Sequence, residues 1–176
     1  MNRFQNRRVT ETVFTVEPLV DVMVFVVDTN VLIHGRGSFP FDKAYLVPEV
    51  LQEVKSEAAE NMIENVDYDL VEPSEDSIRK VEEKSESLNS PTSQTDEKLL
   101  ALAIDKGGTL LTDDKALQNL ALHMQADFKG FIDDPLEKRF EWVIVCKNCG
   151  NRFSGSSCSM CGSSASKRKQ VRYNSR

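Results

Sequence analysis

Long apolar runs are missing from this chain. Near the amino end the longest is Val22–Val27, six residues, against the ~20 that a membrane-spanning helix requires. No secretory leader is expected, because Glu17, Pro18 and Asp21 interrupt any apolar core of one. Internal repeats are absent apart from two cysteine pairs. Cysteine is confined to four residues, all between Cys146 and Cys161. Such clustering excludes a disulfide framework spread over the chain. The CxxC pairing points to metal in a reducing compartment, and hence to a cytoplasmic protein. Histidine is scarce, and neither His34 nor His123 has a cysteine or carboxylate at ligand spacing. Both are read as structural.

What is present is charge, unevenly placed. The chain has 176 residues and a net charge of −6, enough length for one sizeable domain and a small module. Residues 141–176 hold seven Lys/Arg and one acid, whereas residues 1–140 hold fifteen Lys/Arg and 27 acids. An acidic body with a basic end fits a metal-dependent site joined to a nucleic-acid contact surface. Solvated faces and a loose tail account for charge alone equally well.

Residues 1–22 precede the first strong strand and show no helical period. Met23 is read as a native start, or residues 1–21 as a mobile extension, with an edge strand at Thr12–Val16 as the alternative. Val24–Val27 is a short apolar, β-branched run, which reads as a buried strand. It leads directly into Asp28-Thr29-Asn30. Val31–Ile33 makes a helix-like turn ended by Gly35 and Gly37. A second strand is expected at Ala44–Val47, then a helix over 48–60 opened by Pro48. Tyr68–Val71 reads as a third strand and 74–88 as a solvated amphipathic helix. Asn89–Ser93 is expected to be a flexible loop. Ser93 then caps a helix, with Asp96 at capping-box spacing, and Gly107-Gly108 stop it. Thr109–Leu111 is a further strand, and 115–124 a further helix. The alternation predicts an α/β fold with a parallel sheet covered on both sides. The body is assigned to 23–130 and a linker to 131–141.

Four acids stand at distinct places in this pattern. Asp28 follows the first strand and Asp113 a later one. Glu53 lies on the second helix, and Asp96 opens another. Strand ends and helix starts converge on one edge of a parallel sheet, where ligands bind in open α/β folds. Clustered carboxylates repel unless cations are bound, and Mg²⁺ and Mn²⁺ favour oxygen ligands. Taken singly each acid has a structural alternative: a helix cap for Asp28, Asp96 and Asp113, a solvated glutamate for Glu53.

Val-Val-Asp28-Thr-Asn30, Glu53 in Leu-Gln-Glu-Val, Thr95-Asp96 and Leu-Leu-Thr112-Asp113-Asp114 together resemble the PIN-domain ribonuclease pattern over roughly residues 23–130. The resemblance implies a three-layer domain with a central parallel sheet. It implies a divalent-metal-dependent endoribonuclease, with Asp28, Glu53, Asp96 and Asp113 as the acidic cluster for one or two Mg²⁺ or Mn²⁺ ions. Asp114 is adjacent and could share or swap the last role. Thr29, Asn30 and Thr112 match the small polar positions that orient ligands or waters.

Cys146-Lys-Asn-Cys149-Gly and Cys158-Ser-Met-Cys161-Gly are matching units separated by eight residues. Four thiolates at this spacing suit one tetrahedral, structural Zn²⁺. Glycine after each second cysteine lets backbone N–H groups turn toward the sulfurs. This is similar to a zinc ribbon, assigned to 142–166 and followed by a basic tail, 167–176. Rubredoxin-like iron binding has similar spacing. Lys147, Arg152, Phe153, Lys167, Arg168, Lys169, Arg172 and Tyr173 interleave basic and aromatic side chains, as phosphate contact and base stacking require. A disordered, solubilising tail is the alternative for the last ten residues. A PIN-like body followed by this ribbon resembles the Nob-type ribosome-assembly endonucleases. That implies a role in forming the mature 3′ end of small-subunit ribosomal RNA, with a pre-ribosomal particle as partner and neither membrane nor small-molecule cofactor. A toxin-like PIN ribonuclease acting on tRNA or mRNA, and a non-catalytic RNA- or protein-binding adaptor, are the competing classes.

Overall fold

A computed structural model describes residues 23–34, 40, 41, 43–53 and 66–172, the side chains of Glu53 and Arg172 excepted. The readings for residues 1–22, the helix beyond Glu53 and the end of the chain from Tyr173 lie outside the described residues. Among the described residues no helix is long and apolar enough to cross a membrane.

The body is built on five parallel strands. They are β1 (Phe25–Val27), β2 (Lys43–Leu46), β3 (Asp67–Leu70), β4 (Thr109–Leu111) and β5 (Phe128–Lys129), in the spatial order β3-β2-β1-β4-β5. The chain first winds outward from β1 on one side, then returns to its other side, which makes β1–β4 the switch point of a doubly wound sheet. Phe25 pairs with Ala44 and with Thr109, so β1 is central. Its three residues are fully buried, as expected of a strand covered on both faces.

Five helices are described: α1 (Thr29–His34), α2 (Pro48–Glu53), α3 (Glu75–Ser87), α4 (Gln94–Lys106) and α5 (Lys115–Met124). The α4 helix is the most deeply set, with Leu99 to Ala103 buried in succession. Its start is the expected capping box: Ser93 Oγ accepts from Asp96 N, and the Asp96 carboxylate accepts from Ser93 N. Such a cap contributes about 1 kcal/mol. Gly107 ends the helix at φ 57°, a left-handed turn that glycine makes without steric cost. Gly108 serves a different need. A Cβ there would stand 2.8 Å from Val24 Cγ1, so only glycine lets β4 enter beside β1.

Two regions differ from the sequence expectation. The 89–93 segment, expected to be a flexible loop, is tied down. Ser90 N donates to Ser85 O at 3.0 Å, the Ser85 and Thr92 hydroxyls share a hydrogen bond of 2.9 Å, and Thr92 Oγ1 donates to Glu97 Oε1. The 131–141 linker is fastened to α5. Gln118 Oε1 accepts from Leu136 N at 2.9 Å, and Lys115 Nζ donates to Asp134 O at 2.6 Å. The Asn119 amide brackets Phe140, its Oδ1 accepting from Phe140 N at 2.9 Å and its Nδ2 donating to Phe140 O at 3.1 Å.

Beyond Phe140 lies an antiparallel hairpin, β6 (Phe140–Cys146) and β7 (Ser166–Arg172). The ribbon is therefore wider than 142–166. Residues 167–172, expected in a tail, form its second strand. Val143, Ile144 and Val145 face Lys169, Arg168 and Lys167 across the pair, and this cross-strand partnership holds the basic segment extended.

Candidate active site

The loops after β1 and β4 meet at the switch point. Asp28 follows β1, only 5% exposed, and its N–H donates to Leu111 O at 3.0 Å. Thr112, fully buried after β4, donates from Oγ1 to Asp28 Oδ2 at 2.7 Å. The same hydroxyl oxygen accepts from Asp114 N at 3.0 Å. Thr112 thereby couples the two strand ends. Asn30 N approaches Asp28 Oδ1 at 3.4 Å, and Thr29 is buried at the start of α1. Burial pushes the Asp28 carboxyl up to about 6; the Thr112 hydrogen bond opposes this, while the charges of Asp96 and Asp114 add to it. A buried acid facing further acids is an environment that a cation would relieve.

Asp96 and Asp114 thus act on Asp28, but each also holds its own helix. Asp96 Oδ2 accepts from Ser93 N and Oγ, both at 2.8 Å. Asp114 Oδ1 accepts from Ala116 N and Leu117 N at the start of α5.

Asp113 is placed differently from its expected catalytic role. Its carboxylate turns to the next loop and accepts from Phe131 N at 2.8 Å, from Ile132 N at 3.0 Å and from Asp133 N at 3.1 Å. Burial raises its pKa, but these three N–H groups outweigh that and hold it below the usual carboxylate value. The loop depends on Gly130, where a Cβ would collide with Asp133 O at 2.0 Å. Of the two adjacent aspartates, Asp114 is the one whose charge acts on Asp28.

Glu53 ends the described part of α2, and its side chain lies outside the description. Glu49, one turn earlier, is engaged by Lys98 Nζ, which also donates to Glu72 Oε2 at 3.3 Å. That ion pair leaves Glu49 a poor substitute for Glu53. Among the described residues only the four cysteines gather three or more metal-ligand atoms within one ion's reach.

In the cysteine module all four sulfurs lie within 4.8 Å of one another. Cys146 Sγ is 3.6 Å from Cys161 Sγ, and Cys149 Sγ is 3.6 Å from Cys158 Sγ. Tetrahedral zinc with Zn–S near 2.3 Å calls for sulfurs about 3.8 Å apart, so the donor set fits that ion. Each unit closes alike: Gly150 N donates to Cys146 O, and Gly162 N to Cys158 O. Both glycines have positive φ, 73° and 71°. The N–H groups of Cys149 and Asn148 pull the Cys146 thiol down to about 6 and those of Met160 and Cys161 lower Cys158, whereas, against the Asn151 N–H, the neighbouring sulfurs of Cys161 and Cys158 push Cys149 up to about 12. Thiolates are the form a metal binds.

The basic residues divide. Lys147, Arg152, Lys167, Arg168 and Lys169 are exposed, and Phe153 is half-buried. Strand alternation puts Lys167 and Lys169 on one face of the hairpin and Arg168 on the other. Arg168 lines a groove shared with Glu82, Glu86 and Glu97 of the body. The backbone position of Arg172 is opposite Phe140.

Two residues that sequence reasoning passed over organise this site. Gln118 and Asn119 are both fully buried on α5. Gln118 Nε2 donates to Thr112 O at 2.6 Å, while its Oε1 holds the linker. Their signal was present: two amides inside Ala-Leu-Gln-Asn-Leu-Ala, where buried polar groups require partners. His123 is structural, its Nε2 lying 3.2 Å from Phe140 O.

Comparison with known proteins extends the geometry. The family described as PIN domain of ribonuclease matches residues 25–105. The endoribonuclease Nob1 of Archaeoglobus fulgidus is 33% identical over 151 residues, covering 82% of this chain and 90% of that protein. Endoribonuclease Nob1 of Methanocaldococcus jannaschii is 31% identical, covering 85% and 79%. Ribonuclease VapC1 of Thermoplasma acidophilum is 27% identical, covering 80% and 75%.

Proposed function

The chain belongs to the PIN-domain endoribonuclease family represented by the archaeal Nob1 proteins, and on that premise we propose that it cuts precursor small-subunit ribosomal RNA to form the mature 3′ end. The observation that carries this is the joining, in one chain, of an acidic switch-point site to a four-cysteine basic hairpin. Similarity to Nob1 endoribonucleases over four-fifths of the chain supports the endoribonuclease part of this reading. A nuclease acting on any accessible single strand would have little need of a second, metal-built RNA surface.

In this reading Asp28, Asp96 and Asp114, with Glu53 from α2, hold one or two Mg²⁺ or Mn²⁺ ions. Asp114 takes the place first assigned to Asp113, because the Asp113 oxygens already accept the 131–133 backbone. A bound divalent ion supplies water activation and neutralises charge on the scissile phosphate. The chain's own atoms set the frame. Thr112 Oγ1 fixes the Asp28 carboxylate and, through Asp114 N, its distance from the next acid. Gln118 holds the Thr112 carbonyl and so keeps that loop from shifting. The four cysteines hold a structural Zn²⁺, and Lys147, Lys167 and Lys169 contact phosphates. The partner is the pre-ribosomal particle that presents the RNA end.

The test offers a ribosomal RNA fragment spanning the mature 3′ end, with Mg²⁺ or Mn²⁺, to the parent chain, to Asp28→Asn and to Cys146→Ser/Cys158→Ser. Cleavage at that end by the parent, its loss in Asp28→Asn and its scattering or loss in the cysteine variant are expected. Cutting by the parent only at unrelated sites would favour a tRNA- or mRNA-directed enzyme. Undiminished cutting by Asp28→Asn would remove the mechanism.

A further inference from the structure

Between the α3–α4 turn and the ribbon runs a groove of about 590 Å³, within the size range of small-ligand sites. One wall is Leu88 and Asn89 of the body; the other includes Trp142, Ile144, Arg152 and Phe153 of the ribbon. We propose that this groove receives an unpaired nucleobase of single-stranded RNA, stacked on Trp142 and Phe153, with Arg152 on its phosphate. This rests on the endoribonuclease reading and adds a base-binding subsite away from the acidic centre.

Three observations carry it. First, the platform is built before any ligand arrives. Asn119 pins Phe140 from both sides, and the Phe140 ring meets Trp142 edge-on at 5.3 Å and 86°. Arg152 bridges to Val145, and Phe153 N donates to Ile144 O at 3.3 Å. Both aromatic residues therefore stand on fixed backbone, and an already ordered ring loses little entropy on stacking. Second, the Trp142 indole N–H is shielded from solvent and lacks an acceptor among the described residues. That edge of the indole is thus held inside the fold, so the ring can offer a ligand its face and not its N–H. Third, the charge is less unfavourable to a polyanion in this groove than in the neighbouring one. Arg152 and Glu141 both border this groove, one charge of each sign, whereas the neighbouring groove sets Glu82, Glu86 and Glu97 against Arg168 alone. A strand seated on Trp142 would keep its phosphates toward Arg152 and away from those acids. Single-stranded RNA is commonly held by this pairing of aromatic stacking with basic phosphate contact.

Trp142 is the only tryptophan in the chain, so its emission reports on this groove alone. The zinc-loaded full-length Asp28→Asn protein, which preserves RNA, is titrated with a twelve-nucleotide single-stranded RNA and with the same backbone lacking bases. Saturable quenching by the RNA and little by the abasic strand are expected. Phe153→Ala should weaken RNA binding about ten-fold and leave abasic binding unchanged, with zinc content confirming the fold. Asn89→Gly approaches from the body side. Asn89 has φ 50°, which glycine adopts freely, so the turn survives. Its loss of the amide should weaken RNA several-fold relative to the abasic strand. RNA that binds with Trp142 emission unchanged, or equally well to parent and both variants, would overturn the proposal. The cleavage assay on the parent is separate: cutting without quenching sinks the base site alone, and quenching without cutting sinks the nuclease reading alone.

Discussion

The body and the ribbon solve the same problem by different means. The body is held by one apolar core running through β1, β4, α4 and α5, the usual source of stability in a domain of this size. The ribbon buries little: Phe140, Val145, Cys146 and Cys158 are its buried apolar or sulfur residues. The four cysteines could hold a metal ion, and under the proposed function its binding supplies folding free energy that so small a core does not. The polar chemistry differs likewise. In the body the acids are gathered where strands end, whereas in the ribbon the bases are spread along exposed strand. Under the proposed function, one region concentrates charge to act on a phosphate and the other distributes charge to hold a backbone.

Removing zinc should separate the two most completely. With Cys146→Ser/Cys158→Ser, or after chelation, the ribbon loses on the order of 10 kcal/mol of metal-linked folding energy. Hydrogen exchange should then show loss of protection across 140–172, with protection kept at 99–103 and 109–111. Equal loss in both regions would mean that the body also depends on the metal.

The acid site comes next. Asp28→Asn should lower cleavage at least ~100-fold while stabilising the protein in the absence of Mg²⁺ and Mn²⁺. The sign follows from the raised pKa. Between the ordinary value of 3.8 and the folded value of about 6 the native state binds more protons than the unfolded one. Stability therefore falls as pH rises through that window, by about 3 kcal/mol in all. Thermal unfolding of the zinc-loaded protein from pH 4 to 7 should show this decline, and Asp28→Asn should flatten it.

The adjacent aspartates sharpen the assignment further. Asp114→Asn should lower cleavage by about two orders of magnitude. Asp113→Asn should retain most activity and instead cost about 1–3 kcal/mol of stability, read from thermal unfolding, by weakening its backbone hydrogen bonds. The reverse result would restore Asp113 to the metal. Asn119→Ala breaks the join between the regions. It removes two buried hydrogen bonds and should cost about 2–3 kcal/mol, with exchange rising first near Phe140. Smallest is Lys169→Ala, for which the salt dependence of RNA affinity should fall by about one unit of slope.

Much of this was legible in the chain. Val24–Val27, Thr109–Leu111 and the Ser93–Asp96 cap declare themselves because strand burial and helix capping are governed by neighbours in sequence. The expected 74–88 helix is observed as Glu75–Ser87 with Ser74 at its cap. The spans that misled were those whose order comes from distant partners. Asn89–Ser93 reads as a polar loop, yet its hydroxyls bond to Ser85 and Glu97. The 131–141 segment reads as a linker because its anchors, Lys115, Gln118 and Asn119, lie on another element. Lys167–Lys169 reads as a tail because the apolar partner strand that holds it precedes it by more than twenty residues.

By itself the sequence determined the strands and helices of the body as far as α5, the acids that follow them and the paired cysteines, since each depends on spacing along the chain, but not β5, β6 or β7. Only the tertiary structure decided that Asp113 binds the 131–133 backbone while Asp114 caps α5, which face of β7 each basic residue takes, and how the ribbon is fastened to α5. Those choices turn on which backbone N–H groups and buried amides arrive from elsewhere in the fold. No local pattern carries that information.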